Sequence, residues 1–529
     1  MSHTPDTVTR LLAARTRLSS PALIERDRPI AHAVIEEEAK RVAAGFARLG
    51  IGRGDRIALW LPNVPAWLTC FFACAQLGAI AVSVNTRFRS HEVADIVGRS
   101  GARSLVFWPG FKGIDFTGIL ASCDPGMMRH LETLVAYSED GAAPSSGFIG
   151  KPCIDYADLA SGAPLERDAS HPDDGCVIFT TSGTTKAPKF VLHDQRTLVN
   201  HGADVATGFG IGAGSAVLLA PPLCGVYGFC SFMAALSAGC PLVMMPAWNP
   251  AEAARMIDAY RVTHANATDE AVAQLLAQSA ERFPFRSLSF IGYAAFSPAL
   301  GDIVARADAR GVRVVGLYGT SEVQALFARQ SERDSLEQRA LGGGTPVSPA
   351  TRVRARDPAS GLVLPHGESG ELEFDAPSRM QRYFGDPEAT RNAFTADGFY
   401  RSGDLGYTTG DGQFVYLARM NDSLRLGGFL VSPLEIEGVV QESPGICACQ
   451  VVGVPRADGL KPVAFVTLSP GATLDEAAVI EHVAGRLAKY KVPVRVFGIE
   501  EFPVTPGANA TKIQKHKLRD LAVELMLPV

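Results

Sequence analysis

Between Phe179 and Phe190 the chain reads FTTSGTTKAPKF, which places Thr180, Thr181, Ser182, Gly183, Thr184 and Thr185 between an apolar run and two lysines, Lys186 and Lys189. Small hydroxyl residues and a glycine leave backbone N–H groups accessible and add donors of their own. That chemistry suits an anion such as phosphate. Two familiar phosphate-binding patterns do not fit. GTTKAPKF departs from GxxxxGK followed by Ser or Thr, and GFGIGAG at Gly208 to Gly214 has Ala213 at the last glycine position of GxGxxG.

A loop of this kind needs a scaffold, and the chain is long enough to build a large one. Its 529 residues exceed one ordinary core, so two or more domains are expected. Hydrophobic residues at 47% and charged residues at 20% describe a globular protein rather than a disordered one. A net charge of −5 gives no electrostatic reason to expect nucleic acid. The ten cysteines lack paired CxxC spacings, Cys447-Ala448-Cys449 being the nearest approach, and read as free thiols in a reducing, cytoplasmic compartment. The first twenty residues lack the apolar core of a secretory signal and read as a surface helix.

The most apolar segment, Trp67 to Val84, approaches the length of a membrane span, but Gln76 and Gly78 divide it. A buried helix followed by a buried strand is the better reading, with no transmembrane segment. Further back, IEEEAKRVAAGFARLG sets Val42, Phe46 and Leu49 on one helical face and stops at Gly50. Apolar strand-like runs follow at RIALWL, AIAVSV, SLVFW and CVIFTT, the last directly before the opening loop. Helices alternating with such runs up to about residue 410 suit parallel sheets covered on both faces. Beyond residue 420 a shorter unit of roughly 100 residues has the makings of a small α+β domain. The join falls in ARMNDSLRLGG, where polar residues and two glycines permit a hinge.

The loop resembles the phosphate-binding signature of the acyl-adenylate-forming (AMP-binding) superfamily, whose members include acyl-CoA synthetases. Thr181, Ser182, Gly183, Thr184, Thr185, Pro188 and Lys189 match it, while Lys186 and Phe190 stand where the family usually has glycine. Further likenesses follow in the family's order. GYAAFS, with Tyr293 and Ala294, is similar to the segment lying against adenine, and YGTSE, from Tyr318 through Gly319 and Ser321 to Glu322, resembles YGxTE. GELEFDAPSRMQRYFGDPEAT and YRSGDLG resemble the segments that follow, and FPVTPGANATKIQKHKLR the one that ends the family's chains.

The resemblance implies an α/β fold: a large N-terminal domain of layered sheets and helices (1–421) and a small, mobile α+β C-terminal domain (422–529). It implies that Asp404 accepts hydrogen bonds from both ribose hydroxyls, that Arg419 contacts the ribose, and that Asp422 is the hinge. Glu322 with Thr184 is implied to hold Mg²⁺, and Lys512 to be the catalytic lysine, with Lys515 and Lys517 as nearby competitors. Arg425, Gly427 and Gly428 are implied in the thioester step. The implied substrates and cofactors are ATP, Mg²⁺, a carboxylic acid and coenzyme A. A phosphopantetheinyl carrier protein is the alternative acceptor, and an inactive nucleotide-binding homologue the alternative from another class.

The acid pocket is expected to include Cys224, Gly225, Tyr227 and Tyr293, with Gly225 or Cys224 where many relatives have an aromatic gate. The stretch Pro221 to Phe229 contains no carboxylate to meet an ammonium, which disfavours amino acids. A neutral, mostly apolar acid follows, aromatic or medium-chain fatty. Asn266 is a candidate polar group of the pocket, whereas Thr268-Asp269-Glu270 reads as a helix N-terminus.

Overall fold

The computed structural model describes residues 5–139, 148–181, 188–297, 300–420, 424–426, 429–456, 459–487, 489–506 and 511–526. The chain opens on the helix Val8–Arg15, capped by Thr7. The apolar segment divides as its sequence requires. Pro65, whose missing N–H costs nothing at a helix start, begins the helix Pro65–Leu77; Gly78 ends it at φ +69°, and the buried strand Ile80–Ser83 follows. The helix His32–Arg48 buries Val42 and Phe46 and stops short of Gly50, whose φ is +75°. All ten cysteines are free. Among the described residues, no helix is long and apolar enough to cross a membrane.

Two large sheets carry the first four hundred residues. An eight-stranded sheet runs Cys153–Asp155, Thr133–Ala136, Ser104–Phe107, Arg56–Trp60, Ile80–Ser83, Gly175–Thr180, Phe190–Asp194, Arg382–Tyr383; it is parallel as far as Gly175–Thr180 and antiparallel at its last two strands. A thirteen-stranded sheet contains a parallel block made of Pro21–Glu25, Leu242–Met244, Val217–Leu219, His264–Thr268, Phe290–Ala294 and Val314–Thr320.

The expected helix–strand alternation ends earlier than residue 410. From Val314–Thr320 onward the sheet continues antiparallel through Gln324–Arg329, Gly342–Pro346, Phe414–Arg419, Tyr400–Thr408, Gly370–Asp375 and Arg352–Arg356. The reason is the length of the connections. Three residues between Thr320 and Gln324 can close a hairpin but cannot hold the crossover helix that a parallel pair needs. This switch sets the candidate site, because the hairpin turn falls at Ser321-Glu322-Val323.

Residues beyond 420 pack around their own cores. Leu424, Leu426, Ile436, Cys449, Val451, Ala464 and Val466 form one cluster, and Val452, Val454, Phe465, Leu518 and Ala522 another. The strands Ile446–Arg456, Gly459–Leu468 and Arg495–Gly498 form a three-stranded sheet with the helices Pro433–Gln441, Glu476–Ala484 and Lys515–Leu525 about it. This is the small α+β unit expected from the sequence.

Candidate active site

Tyr318 lies in the strand Val314–Thr320, its ring among Phe374, Phe414 and Tyr416 at centroid distances of 5.4, 5.1 and 5.7 Å. That packing leaves the phenol one direction, and its hydroxyl donates to Asp404 Oδ2 at 2.6 Å. Asp404 stands on Tyr400–Thr408, directly across the ladder from Arg419, whose Nη1 is 2.9 Å from Asp404 Oδ1. The carboxylate is 1% exposed whereas the Arg419 side chain is 54% exposed, so the acid is the more fully desolvated partner. Burial pushes the Asp404 carboxyl up to about 6, against the Arg419 charge and the Tyr318 hydrogen bond that pull it down. Next to Tyr318, Gly319 is required by close approach: a Cβ there would stand 2.6 Å from Ala325 Cα on the other arm of the hairpin.

The turn that follows is fixed from several sides. The Glu322 carbonyl accepts from Met380 N–H at 2.6 Å, and its Oε1 accepts from the Tyr383 hydroxyl at 2.9 Å. Behind the turn, His193 Nε2 lies 2.7 Å from Ser321 O, and His201 Nε2 lies 2.7 Å from Ala325 O. Burial pushes both imidazoles down to about 4, so they are neutral near pH 7 and donate from Nε2 to these carbonyls. Gln324 and Leu326 carry φ of +66° and +61°, conformations uncommon for residues with a Cβ. The surrounding contacts hold them there.

The hydroxyl-rich stretch connects the two arms of a second antiparallel pair. Thr181 N–H donates to Lys189 O at 3.0 Å and Lys189 N–H to Thr181 Oγ1 at 3.2 Å, closing its base between Gly175–Thr180 and Phe190–Asp194. Ser182, Gly183, Thr184, Thr185 and Lys186 lie outside the described residues. Lys189 Nζ sits 4.5 Å from the centre of the Tyr383 ring, the same residue whose hydroxyl holds Glu322. The segment 380–384 is therefore a strap between the two sheets. Met380 bonds the Glu322 turn, while Gln381 N–H and Phe384 N–H donate to Leu192 O and Phe190 O at 2.8 and 2.7 Å.

Ala294 ends the strand Phe290–Ala294, and the residues after it are held by Asp269, whose buried Oδ2 accepts from the N–H groups of Phe296 and Ser297 at 2.8 and 2.6 Å. Thr268 caps the helix Asp269–Leu276, as read from sequence, so Asp269 does more than start a helix. Among the residues assigned to an acid pocket, Gly225 caps the helix Val226–Ala238 beside the half-buried Cys224. Tyr227 Oη lies 2.9 Å from Ala267 O and 3.1 Å from Gly292 O, and Tyr293 Oη donates to Ala340 O at 2.9 Å. Both phenols are thus engaged by the backbone, and what they can offer a substrate is ring surface. Asn266 is buried, with Nδ2 donating to Ser231 Oγ at 3.1 Å.

In the small domain, Lys512 occupies the strand Thr511–Ile513 at the position paired with Thr505. Its competitor Lys515 is already engaged: its ammonium lies 2.9 Å from the buried carboxylate of Glu437, which also accepts from Val451 N–H at 2.8 Å. Lys517 is exposed. Asp422, Gly427 and Gly428 lie outside the described residues, as do the side chains of Arg425 and Lys512.

Among the described residues, no three His, Cys, Asp or Glu converge on one point. A single carboxylate such as Glu322 nonetheless fits Mg²⁺, which is held typically by one or two carboxylates together with waters and substrate phosphates. Sequence reasoning missed Tyr383, His193 and His201. Tyr383 lay within the quoted MQRYFGDP segment, and the histidines were polar residues inside or beside apolar runs; that was the only signal they gave.

The profile described as AMP-binding enzyme matches residues 12–384, and that of the AMP-binding enzyme C-terminal domain matches 435–508. A long-chain-fatty-acid–CoA ligase of Mycobacterium tuberculosis (strain ATCC 25618 / H37Rv) is 28% identical over 487 residues, 91% of each chain. A feruloyl-CoA synthase of Amycolatopsis sp is 29% identical over 507 residues, covering 94% of this chain and 96% of that one. Among solved structures, ATP-bound MatB from Rhodopseudomonas palustris superposes with a TM-score of 0.82 at 25% identity, covering 98% of this chain and 99% of that one.

Proposed function

The chain belongs to the AMP-binding enzyme family, and from that premise we propose that it is an AMP-forming acid–thiol ligase that makes acyl-CoA through an acyl-adenylate. A carboxylate oxygen of the acid attacks the α-phosphorus of ATP, the bond to pyrophosphate breaks, and acyl-AMP remains. The thiol of CoA then loses its proton and attacks the acyl carbonyl, and AMP departs with the bonding electron pair.

The first step brings two anions together, so its barrier is electrostatic and positional. Asp404 accepts the two ribose hydroxyls, a task for a carboxylate, and Arg419 backs it from the more exposed side. Lys189 with the donors of its loop binds the β and γ phosphates. Glu322 and Thr184 would hold Mg²⁺, whose charge would offset that of the phosphates. Lys512 lies between the incoming carboxylate and the α-phosphate and lowers their repulsion as a compact mobile cation. Asp422 is the hinge on which the small domain turns between steps, and Arg425, Gly427 and Gly428 then line the thiol's approach.

The observation that carries this reading is the buried Asp404 gripped by Tyr318 and Arg419, one hairpin turn from Glu322. For the acid we propose a neutral, mostly apolar aromatic or medium-chain fatty acid, in keeping with a Pro221–Phe229 stretch free of carboxylates. The relatives named for feruloyl and long-chain fatty acyl groups belong to the same broad class. The test is AMP release across a panel of acids, with and without CoA. Acid-dependent AMP release that rises with CoA is expected; turnover only with a phosphopantetheinyl carrier would move the acceptor assignment, and no acid-dependent pyrophosphate exchange would overturn the ligase reading.

A further inference from the structure

Phe190 stands where the resembled pattern has glycine after the matched lysine, and its surroundings account for the change. It is 2% exposed and packs with Leu192 and Phe384 in the core beneath the eight-stranded sheet. Over its ring, at 4.3 Å, lies the guanidinium of Arg99, from the last turn of the helix Ser90–Ser100. The same guanidinium donates through Nη2 to Pro188 O at 2.8 Å and is itself oriented by Asp95, one turn earlier, through two hydrogen bonds of 2.7 Å. Arg99 thus grips the residues on either side of Lys189. Lys189 lies just before the strand Phe190–Asp194, and with the Pro188 carbonyl and the Phe190 ring both held by Arg99, its ammonium meets the Tyr383 ring instead.

We propose that Arg99 is a positioning residue for ATP binding: stacked on Phe190 and bonded to the Pro188 carbonyl, it fixes the direction in which Lys189 presents its charge to the ATP phosphates. The inference rests on the reading of Lys189 as a phosphate ligand. It also gives the missing glycine a purpose. A glycine at 190 would offer neither a ring for the guanidinium nor a buried anchor for the strand. Arginine suits the task because its planar fork can stack and donate at once, which the lysine ammonium cannot do.

The test uses the full chain, with MgATP affinity measured by calorimetry beside the kinetics of acid-dependent pyrophosphate exchange. Arg99→Ala is expected to raise both the Kd and the KM for ATP by about three- to tenfold, with kcat within about twofold, in line with the strength of a partly exposed cation–π contact and one charged hydrogen bond. Arg99→Lys should resemble Arg99→Ala, because charge alone does not restore the stack; it also serves as the measured variant should Arg99→Ala not fold. Phe190→Leu, which keeps a buried apolar anchor but removes the π face, should raise the ATP Kd by about two- to threefold. Unchanged MgATP affinity in Arg99→Ala, full rescue by Arg99→Lys, or an equal rise in the KM for the acid would each overturn the proposal. The ligase reading fails separately, if the wild type binds MgATP yet shows no exchange with any acid.

Discussion

The hairpin that carries Glu322 and the ribbon that carries Lys512 are both pairs of antiparallel strands, but they are held in opposite ways. The Glu322 hairpin lies inside a thirteen-stranded sheet, paired on both sides, and its turn is bonded by Met380, Tyr383 and His193. The Lys512 ribbon is a separate two-stranded sheet of three-residue strands, Val504–Pro506 and Thr511–Ile513. A short isolated pair is marginal by itself, whereas a turn bonded from three directions has its geometry fixed before any ligand arrives. Under the proposed reaction, groups that receive ATP need the second arrangement, and a group that serves one half-reaction and is then replaced needs the first.

The sharpest way to break this contrast is to separate the two half-reactions. Lys512→Ala should lower adenylate formation by roughly a hundred- to a thousandfold, as for the loss of one transition-state charge contact, while thioester formation from supplied acyl-AMP survives. Equal loss of both would place Lys512 in the pre-set half of the site. Lys515→Ala should act on folding instead. It strands the buried Glu437 carboxylate, which costs about 3 kcal/mol, and should lower the denaturation midpoint with little change in kcat per folded molecule. A kcat loss matching that of Lys512→Ala would reassign the catalytic lysine.

On the pre-set side, Asp404→Asn should raise the KM for ATP roughly 10- to 100-fold, because two ribose hydroxyls lose a charged acceptor. The same residue sets a pH dependence. Its carboxyl lies at about 6 in the fold against an ordinary value of 3.8, so lowering the pH through 6 protonates it and kcat/KM for ATP should fall along an acid limb absent in Asp404→Asn. Folding responds with the opposite sign. A carboxyl raised by burial binds its proton more tightly when folded, so its contribution to stability is fully present below about pH 4 and is lost as the pH rises through 6. The smallest effect is expected for Tyr383→Phe, which frees Glu322 but keeps the ring beside Lys189. It should raise the half-saturating Mg²⁺ and ATP concentrations by roughly three- to tenfold, with the Kd for MgATP measured by calorimetry rising in step. No change in either would mean that Glu322 is fixed by its backbone alone.

Local signals in the sequence were legible where the local rule decides the outcome. Gly78 and Gly50 ended their helices, Thr268 capped one, and the Trp67–Val84 segment divided where Gln76 and Gly78 indicated. The family resemblance also named Asp404, Arg419, Glu322 and Lys189. It could not give the pairings between them, because Tyr318 meets Asp404 across 86 residues and Tyr383 meets Glu322 across 61, distances at which no periodicity speaks. The antiparallel continuation was missed for a related reason. Apolar runs announce strands, but only the connection length, here three residues at Ser321-Glu322-Val323, tells parallel from antiparallel. Phe190 looked like an unexplained departure because its partner, Arg99, stands 91 residues earlier in the chain.

The strap of residues 380–384 offers a readout of its own. It bonds at one end to the Glu322 turn, through Met380 N–H, and at the other to the strand leaving the Lys189 loop, through Gln381 and Phe384, so Met380 N–H opens when the strap parts from the turn while the other two open when it frays from its own sheet. Hydrogen exchange at Met380, read against Gln381 and Phe384, therefore reports how long the two sheets stay joined at the strap. Slower exchange at Met380 on adding ATP, beyond any slowing at Gln381, Phe384 and the rest of either sheet, would show in solution that ligand binding tightens one sheet against the other.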